Sequence, residues 1–383
     1  MTTSMRVSVH PQLFRWACDR SGRGEDYFAH RFTHFPSWLR AEAQPTYCQL
    51  QDFADASHTP IGFFFLPEPP IDAVPIPDFR TVANTPVGRP SPDLLETIYI
   101  CQQRQEWYRD FARSMGESAR PFIGSLRITD DEVVAANQIR TALGLDLAAR
   151  RQIPTWAEAL RRFIEQADAA GIMVMCSGVV LNNNTRKLNT DEFRGFALSD
   201  DLAPLVFING SDTKSAQMFT LAHELAHLWL GRTGVSDAEP AIAPDHEVER
   251  WCNRVAAEML VPIEEMRADF TRTTPIQEEM NRLARRFKVS TLVILRRIHD
   301  VGGLDDRSFW TAYRDEEQRL KSLPRGSGGD FYLTQASRVS KRFARALVSS
   351  TLEGQTLHRD AFRLLGFSKV ETFHQLGHSL GVA

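Results

Sequence analysis

Three residues within FTLAHELAHLWLG, residues 219–231, have the types and spacing to do chemistry together: His223, Glu224 and His227. In a helix, side chains four positions apart lie one above the other on one face, about 6 Å apart. Two imidazoles so placed can both reach one Zn2+ at roughly 2.1 Å. Glu224 is turned about 100° from His223 around the helix axis, so it stands beside the ligand face rather than on it. From there it can reach a water at the open position of a catalytic metal and act as general base. The competing reading is a core helix that happens to carry two histidines. Phe219, Leu221, Ala222, Leu225, Ala226, Leu228, Trp229 and Leu230 make the stretch apolar nearly all round, which implies burial. Burying His, Glu and His without partners costs on the order of several kcal/mol. A metal removes that cost and accounts for all three residues, so Zn2+ is the expected cofactor.

A catalytic zinc site takes a third protein ligand and keeps one position open. The longer pattern HExxHxxGxxH is absent, because Leu230 holds the glycine place and Thr233 the last histidine place. The third ligand must come from farther on, and the segment EVERWCNRVAAEMLVP, from residue 247, offers Glu247, Glu249 and Glu258. It reads as a broadly buried helix stopped by Pro262. Glu249 shares a face with Asn253 and Ala256, Glu258 points the opposite way, and Glu247 is near the frayed start. Glu249 is therefore the expected ligand. His246, within about 60° of it, is the rival. Asn253 is placed to hydrogen-bond a ligand from behind.

The two stretches together resemble the ImmA/IrrE family of zinc metallopeptidases. The family's second signature is a Glu, an Asn or Asp four residues on, then an Ala-Ala run ending in Leu-x-Pro. The resemblance implies His223, His227 and Glu249 as ligands and Glu224 as base, in a gluzincin-like site. Trp251 and Cys252 depart from the family pattern and make this helix more apolar without touching the ligand set. PLVFINGSDTKSAQMF, just upstream, fits as well. Known members relieve repression by cutting a helix-turn-helix repressor, so a repressor or a toxin–antitoxin-type partner is the implied protein substrate. In the N-terminal half, PTYCQLQDFADASHTPIGFFFLPEPP and PIPDFRT resemble the junction of longer members that carry an Xre-like helix-turn-helix module.

The elements that must position this site follow from capping and periodicity. Residues 1–66 read as helical, with Leu13, Phe14, Ala17 and Cys18 on one face and Leu50, Phe53 and Ala54 on another. A recognition helix for DNA needs basic and polar side chains. Here the corresponding segment, FTHFPSWLRAEAQPT, is interrupted by Pro36 and has only Arg40 as a basic residue. Residues 1–60 hold six Arg and six acids, so the module reads as a degenerate docking unit and DNA binding is not favoured. The proline-dense stretch TPIGFFFLPEPPIDAVPIPDFRT, residues 59–81, reads as an extended connector whose run IGFFFL should be buried, and 67–150 as connector followed by helices. Ser91 should cap a helix there; Thr129 with Glu132 and Thr155 with Glu158 read as capping boxes. IMVMCSGVVL, EFRGFALS and PLVFING read as strands, and an edge strand near 204–209 is positioned to pair with an extended substrate. Residues 231–246 read as a polar loop and 276–300 as helix.

The expected architecture is α+β: a zincin-like core at 151–300, made of a small sheet, the HExxH helix and the following Glu helix. Helical modules flank it at 1–66 and, beyond a linker at 301–329, at 330–383. The basic run SRVSKRFARAL, with Arg338, Lys341, Arg342 and Arg345, reads as a solvated face. A net charge of −3 over 383 residues gives no global signal for nucleic acid. The 5 cysteines have no CxxC spacing and read as reduced core thiols of a cytoplasmic protein. Neither a signal-peptide core nor a membrane span is expected. The function to test is a zinc-dependent endopeptidase acting on a regulatory protein. The alternative is a DNA-binding regulator or antitoxin-like binding protein whose metal site is structural.

Overall fold

The computed structural model describes residues 5–79, 81–82, 85–86, 89–236, 246–322 and 336–382. The chain divides into two compact units, Met1–Pro75 with Gly88–Ile98, and Ile76–Val87 with Tyr99–Ala383.

In the first unit, helices Pro11–Arg20, Glu25–Arg31, Phe35–Leu39 and Tyr47–Ala56 close around an aromatic core. Phe14, Phe28, Phe35, Trp38, Phe53 and Phe64 are all buried in it. Phe53 stacks on Phe35 with centroids 5.3 Å apart, and Phe14 on Trp38 at 5.6 Å. Thr46 starts the fourth helix with a capping box closed by Gln49. The segment read as interrupted by Pro36 holds a five-residue helix that has Pro36 in its first turn, where proline is tolerated. That helix stops at Leu39, just before Ala41 takes the left-handed conformation (φ 58°). The buried run IGFFFL is corrected in part. Ile61–Phe65 forms a 3₁₀ turn that buries Phe64 and leaves Phe65 and Leu66 exposed. A buried ion pair, Arg20 to Asp72 at 3.2 Å, ties the connector to this unit.

The long helix Pro92–Ser114 is started by Ser91, which accepts from Leu94 N at 3.1 Å. The second unit contains a short hairpin, β1 (Thr81–Val82) with β2 (Thr85–Pro86). Its main sheet has four strands: β3 (Met173–Ser177), β4 (Gly195–Leu198), β5 (Leu205–Asn209) and β6 (Gly234–Ser236). The order is β3-β5-β4-β6, with β3 and β5 parallel and the other pairs antiparallel. This corrects the expected edge strand near 204–209. β5 is paired on both sides, so its backbone groups are not open to a substrate, and β6 forms an edge instead. β6 lies in the stretch read as a loop; three residues are too few to show a period.

The HExxH residues lie on helix Lys214–Trp229, here the motif helix, capped by Thr213. Glu249 lies on helix Glu247–Leu260, here the glutamate helix, whose Trp251 and Cys252 are buried. The motif helix ends at Leu230, and Gly231 turns the chain with φ +65°. Its last carbonyls are met by a loop from far upstream: Gly124 N donates to Leu228 O at 3.1 Å and Leu126 N to Trp229 O at 2.9 Å. Phe122 stacks on Trp229 at 4.3 Å in the same loop. Helix Glu132–Leu143 flanks the glutamate helix and is capped by Asp131, not Thr129. The Asp131 carboxylate accepts from both Val133 N and Val134 N, and Glu132 pairs instead with Arg254. Thr155 caps the helix Trp156–Ala169 as expected.

Residues 276–300 are two helices, Ile276–Phe287 and Thr291–Asp300, separated where Lys288 turns left-handed and Ser290 caps the second. The span 301–329, expected as a linker, contains helix Asp306–Ser322, while PRGSGGD (324–330) lies outside the described residues. The C-terminal helices Lys341–Leu352, His358–Leu365 and Val370–Leu380 fall within the second unit. Their basic run is not merely solvated: Arg338 bonds Asn182, Lys341 pairs with Glu165, and Arg342 binds Tyr108 and Glu117. Four of the cysteines are shielded to differing degrees, but Cys48 is exposed, against the expectation of core thiols.

Candidate metal centre

The motif helix is buried from Gln217 to Trp229, so its polar residues must find partners inside the protein. Two of them face the glutamate helix. His223 Nε2 lies 3.1 Å from Glu249 Oε2, and His227 Nε2 lies 2.9 Å from Glu249 Oε1. The two imidazole Nε2 atoms are 3.1 Å from each other. One donor atom from each of His223, His227 and Glu249 thus falls within 4.8 Å of the others, and all three residues are buried. Donors sharing one tetrahedral ion are about 3–3.5 Å apart, so the set fits a zinc of the His-His-Glu type.

The charges of the trio favour a cation. Burial alone would raise the Glu249 carboxyl, but the charges and hydrogen bonds of His227 and His223 hold it well below the usual carboxylate range. Burial alone would lower His223, yet Glu249, Glu224 and a hydrogen bond that His223 donates to Asn253 hold it above its ordinary value. Asn253, one turn after Glu249 on the glutamate helix, is among the groups that hold His223 up.

Glu224 is not in the trio. It points instead to the sheet, where Ser236 Oγ donates to its Oε1 at 2.8 Å, while Oε2 has no hydrogen-bond partner. Burial pushes its carboxyl up to about 7, against the pull of His223 and His227. A buried carboxylate with one oxygen fixed and one open can take a proton near neutral pH. The sheet can come this close because β4 carries Gly195. A Cβ there would lie 2.7 Å from Thr220 Cγ2 and 3.0 Å from Glu224 Oε1.

The other candidates fall away from the trio. Glu247 and His246 are exposed at the start of the glutamate helix. Glu258 accepts from Arg297 at 2.6 Å and from Ile263 N, locking the turn at Pro262. Sequence reasoning missed Ser236, Gly195 and Phe79, whose ring stacks on His227 with centroids 5.9 Å apart. The stretch PIPDFRT, containing Phe79, was visible only as a junction.

Residues 167–299 match the IrrE N-terminal-like domain of peptidase family M78. The matched span contains the whole trio, Glu224 and the four-stranded sheet. The match supports the ImmA/IrrE resemblance and a metallopeptidase activity. Residues 339–379 match a family described only as a domain of unknown function. No curated protein matches the chain. No described helix is long and apolar enough to cross a membrane.

Proposed function

We propose that the chain is a zinc-dependent endopeptidase that cuts a regulatory protein, a repressor or an antitoxin-like partner. The reading rests on one observation: His223, His227 and Glu249 converge in the interior while Glu224 stands beside them with Oε2 not taken up by a hydrogen bond. Zinc held by the three ligands would supply Lewis acidity, polarising a peptide carbonyl and making a water easier to deprotonate. Glu224 takes the proton from that water at Oε2 and hands it to the leaving amine. Ser236 holds Oε1 and so keeps the other oxygen aimed at the reacting atoms. Asn253 steadies the His223 ring. A purely structural site would have no use for Glu224.

The first unit serves, in this reading, to dock a protein rather than to read DNA. The segment in the recognition position is a five-residue helix whose Phe35 and Trp38 point into the core. Its single basic residue, Arg40, is taken up by a two-pronged contact with Glu42 at 2.8 Å. Salt-resistant binding of the chain to a defined operator, lost when Arg40 is replaced, would overturn the docking role.

Glu224→Gln tests the activity. The change keeps the shape and removes the base, so zinc content and folding should match wild type. Cleavage of a partner encoded nearby should fall by about 10²-fold or more. If the wild type regulates its partner without cutting it, and Glu224→Gln does so equally well, the peptidase reading is wrong.

A further inference from the structure

The edge of β6 is occupied. Residues Ile76–Phe79 run along it: Val235 N donates to Pro77 O and Phe79 N donates to Val235 O, both at 2.9 Å. The result is a parallel bridge centred on Asp78 and Val235. Val235 thus spends both backbone groups on this segment, while β6 pairs through its other edge with β4. Side chains alternate along a strand, so Gly234 and Ser236 share the face that looks toward the motif helix. Ser236 bonds Glu224 there, and the Phe79 ring lies over Gly234.

The ring sits in a slot built from three sides. It is parallel to His227, with 10° between planes, and 4.7 Å from the His246 ring. Beneath it is Gly234, where a Cβ would lie 2.3 Å from the ring carbon Cε2. Gly234 has no left-handed backbone to explain a glycine; the space for the ring does. Among the described residues, β6 is the outer strand that carries a partner of Glu224, so an extended chain reaching Glu224 by strand addition would take the edge that Ile76–Phe79 now holds.

We propose that Ile76–Phe79 is an internal occupant of the substrate cleft, and that the slot of Gly234, His227 and His246 selects an aromatic side chain of the substrate. The substrate class is then an extended polypeptide with a phenylalanine-like residue beside the cut. The segment is tied to β6 through Pro77 O and Phe79 N, since Pro77 has no N–H to donate, with Ile76 buried and the Phe79 ring half-buried. Being part of the same chain, it competes at high effective concentration and keeps the cleft closed to poor substrates. What the cleft does with a bound chain rests on the peptidase reading; the binding itself does not.

The test therefore reads binding. Full-length Glu224→Gln, which cannot consume a peptide, is compared with the same protein carrying Phe79→Ala or Gly234→Ala. The probe is a dye-labelled, end-blocked Ile-Pro-Asp-Phe peptide, with Ile-Pro-Asp-Ala as control, followed by fluorescence anisotropy. Amide hydrogen exchange at Val235 reports release of the segment in each protein. Phe79→Ala should empty the slot, speed Val235 exchange at least tenfold, and bind the phenylalanine peptide about tenfold more tightly than the parent does. The alanine peptide should gain nothing. Gly234→Ala should also speed Val235 exchange, yet bind neither peptide, because its Cβ fills the slot. Phe79→Leu, a milder change, should fall between the parent and Phe79→Ala on both readouts. Equal binding of the two peptides by Phe79→Ala, or Val235 exchange unchanged in both variants, would overturn the proposal while leaving the Glu224 chemistry to stand on its own test.

Discussion

The aromatic core of the first unit and the centre between the motif and glutamate helices are both sealed from water, yet they bury opposite things. Around Phe14, Phe35 and Phe53 the buried polar groups are hydroxyls such as Ser57 and Thr59, each bonded to a nearby carbonyl. Around His223 the interior holds two imidazoles and two carboxylates within one small region. The first arrangement gains stability from every residue in it. The second costs stability unless a cation and a reaction justify it. Their difference separates residues kept for folding from residues kept for chemistry.

The sharpest way to break the comparison is to remove a ligand. His227→Ala or His223→Ala should abolish stoichiometric zinc in elemental analysis, and Glu249→Ala should weaken it, while Glu247→Ala, Glu258→Ala and His246→Ala should retain it. Zinc lost from His246→Ala and kept in Glu249→Ala would transfer the third ligand to His246. On the other side, Phe53→Ala should cost about 3–5 kcal/mol in the first unit, read by denaturant titration, with zinc content untouched. Zinc lost along with that unit would mean the two regions are not separable.

A smaller effect concerns Asp168, whose burial pushes its carboxyl up to about 6 against the pull of Ser340 and the Val174 backbone. An acid whose folded value lies above its unfolded one binds its proton more tightly when folded. Its contribution is complete below about pH 4 and is lost as the pH rises through about 6. Wild type should therefore lose up to about 3 kcal/mol relative to Asp168→Asn between pH 4 and 7, compared by urea midpoints. Identical pH dependence in the two proteins would remove Asp168 as the cause. Least of all, Ser236→Ala should destabilise by about 1–2 kcal/mol, since it strips a buried carboxylate oxygen of its donor. Thermal melting with zinc present measures it, and no change would mean that Glu224 finds another partner.

The centre was legible because its signals are local. His223 and His227 declare their common face by spacing, and Glu249 is picked out by its phase against Asn253. The helices were legible wherever a cap and a periodic face coincide, as at Thr155. What escaped depends on partners distant in sequence. Ser236 lies in a three-residue strand whose identity comes from pairing with Gly195. Phe79 matters through Gly234, more than a hundred residues later, and nothing in the proline-dense connector announces that meeting. β5 reads as a strand from composition, but its central position is set by β3 and β4 on either side. Asp131 displaced Thr129 as a cap by position alone.

The upstream loop at the end of the motif helix bears on where this chain can be cut. Gly124 and Leu126 supply the donors that close the helix within two residues of His227, and Gly231 leaves them room: a Cβ there would lie 3.0 Å from Gly124 Cα. Trp251 Nε1 reaches back in the same way to Asp130 O at 3.0 Å. A fragment trimmed to 167–299 would keep every ligand and lose both of these anchors. The span that the family model matches is thus narrower than the set of contacts that close the motif helix, which reach back to Phe122.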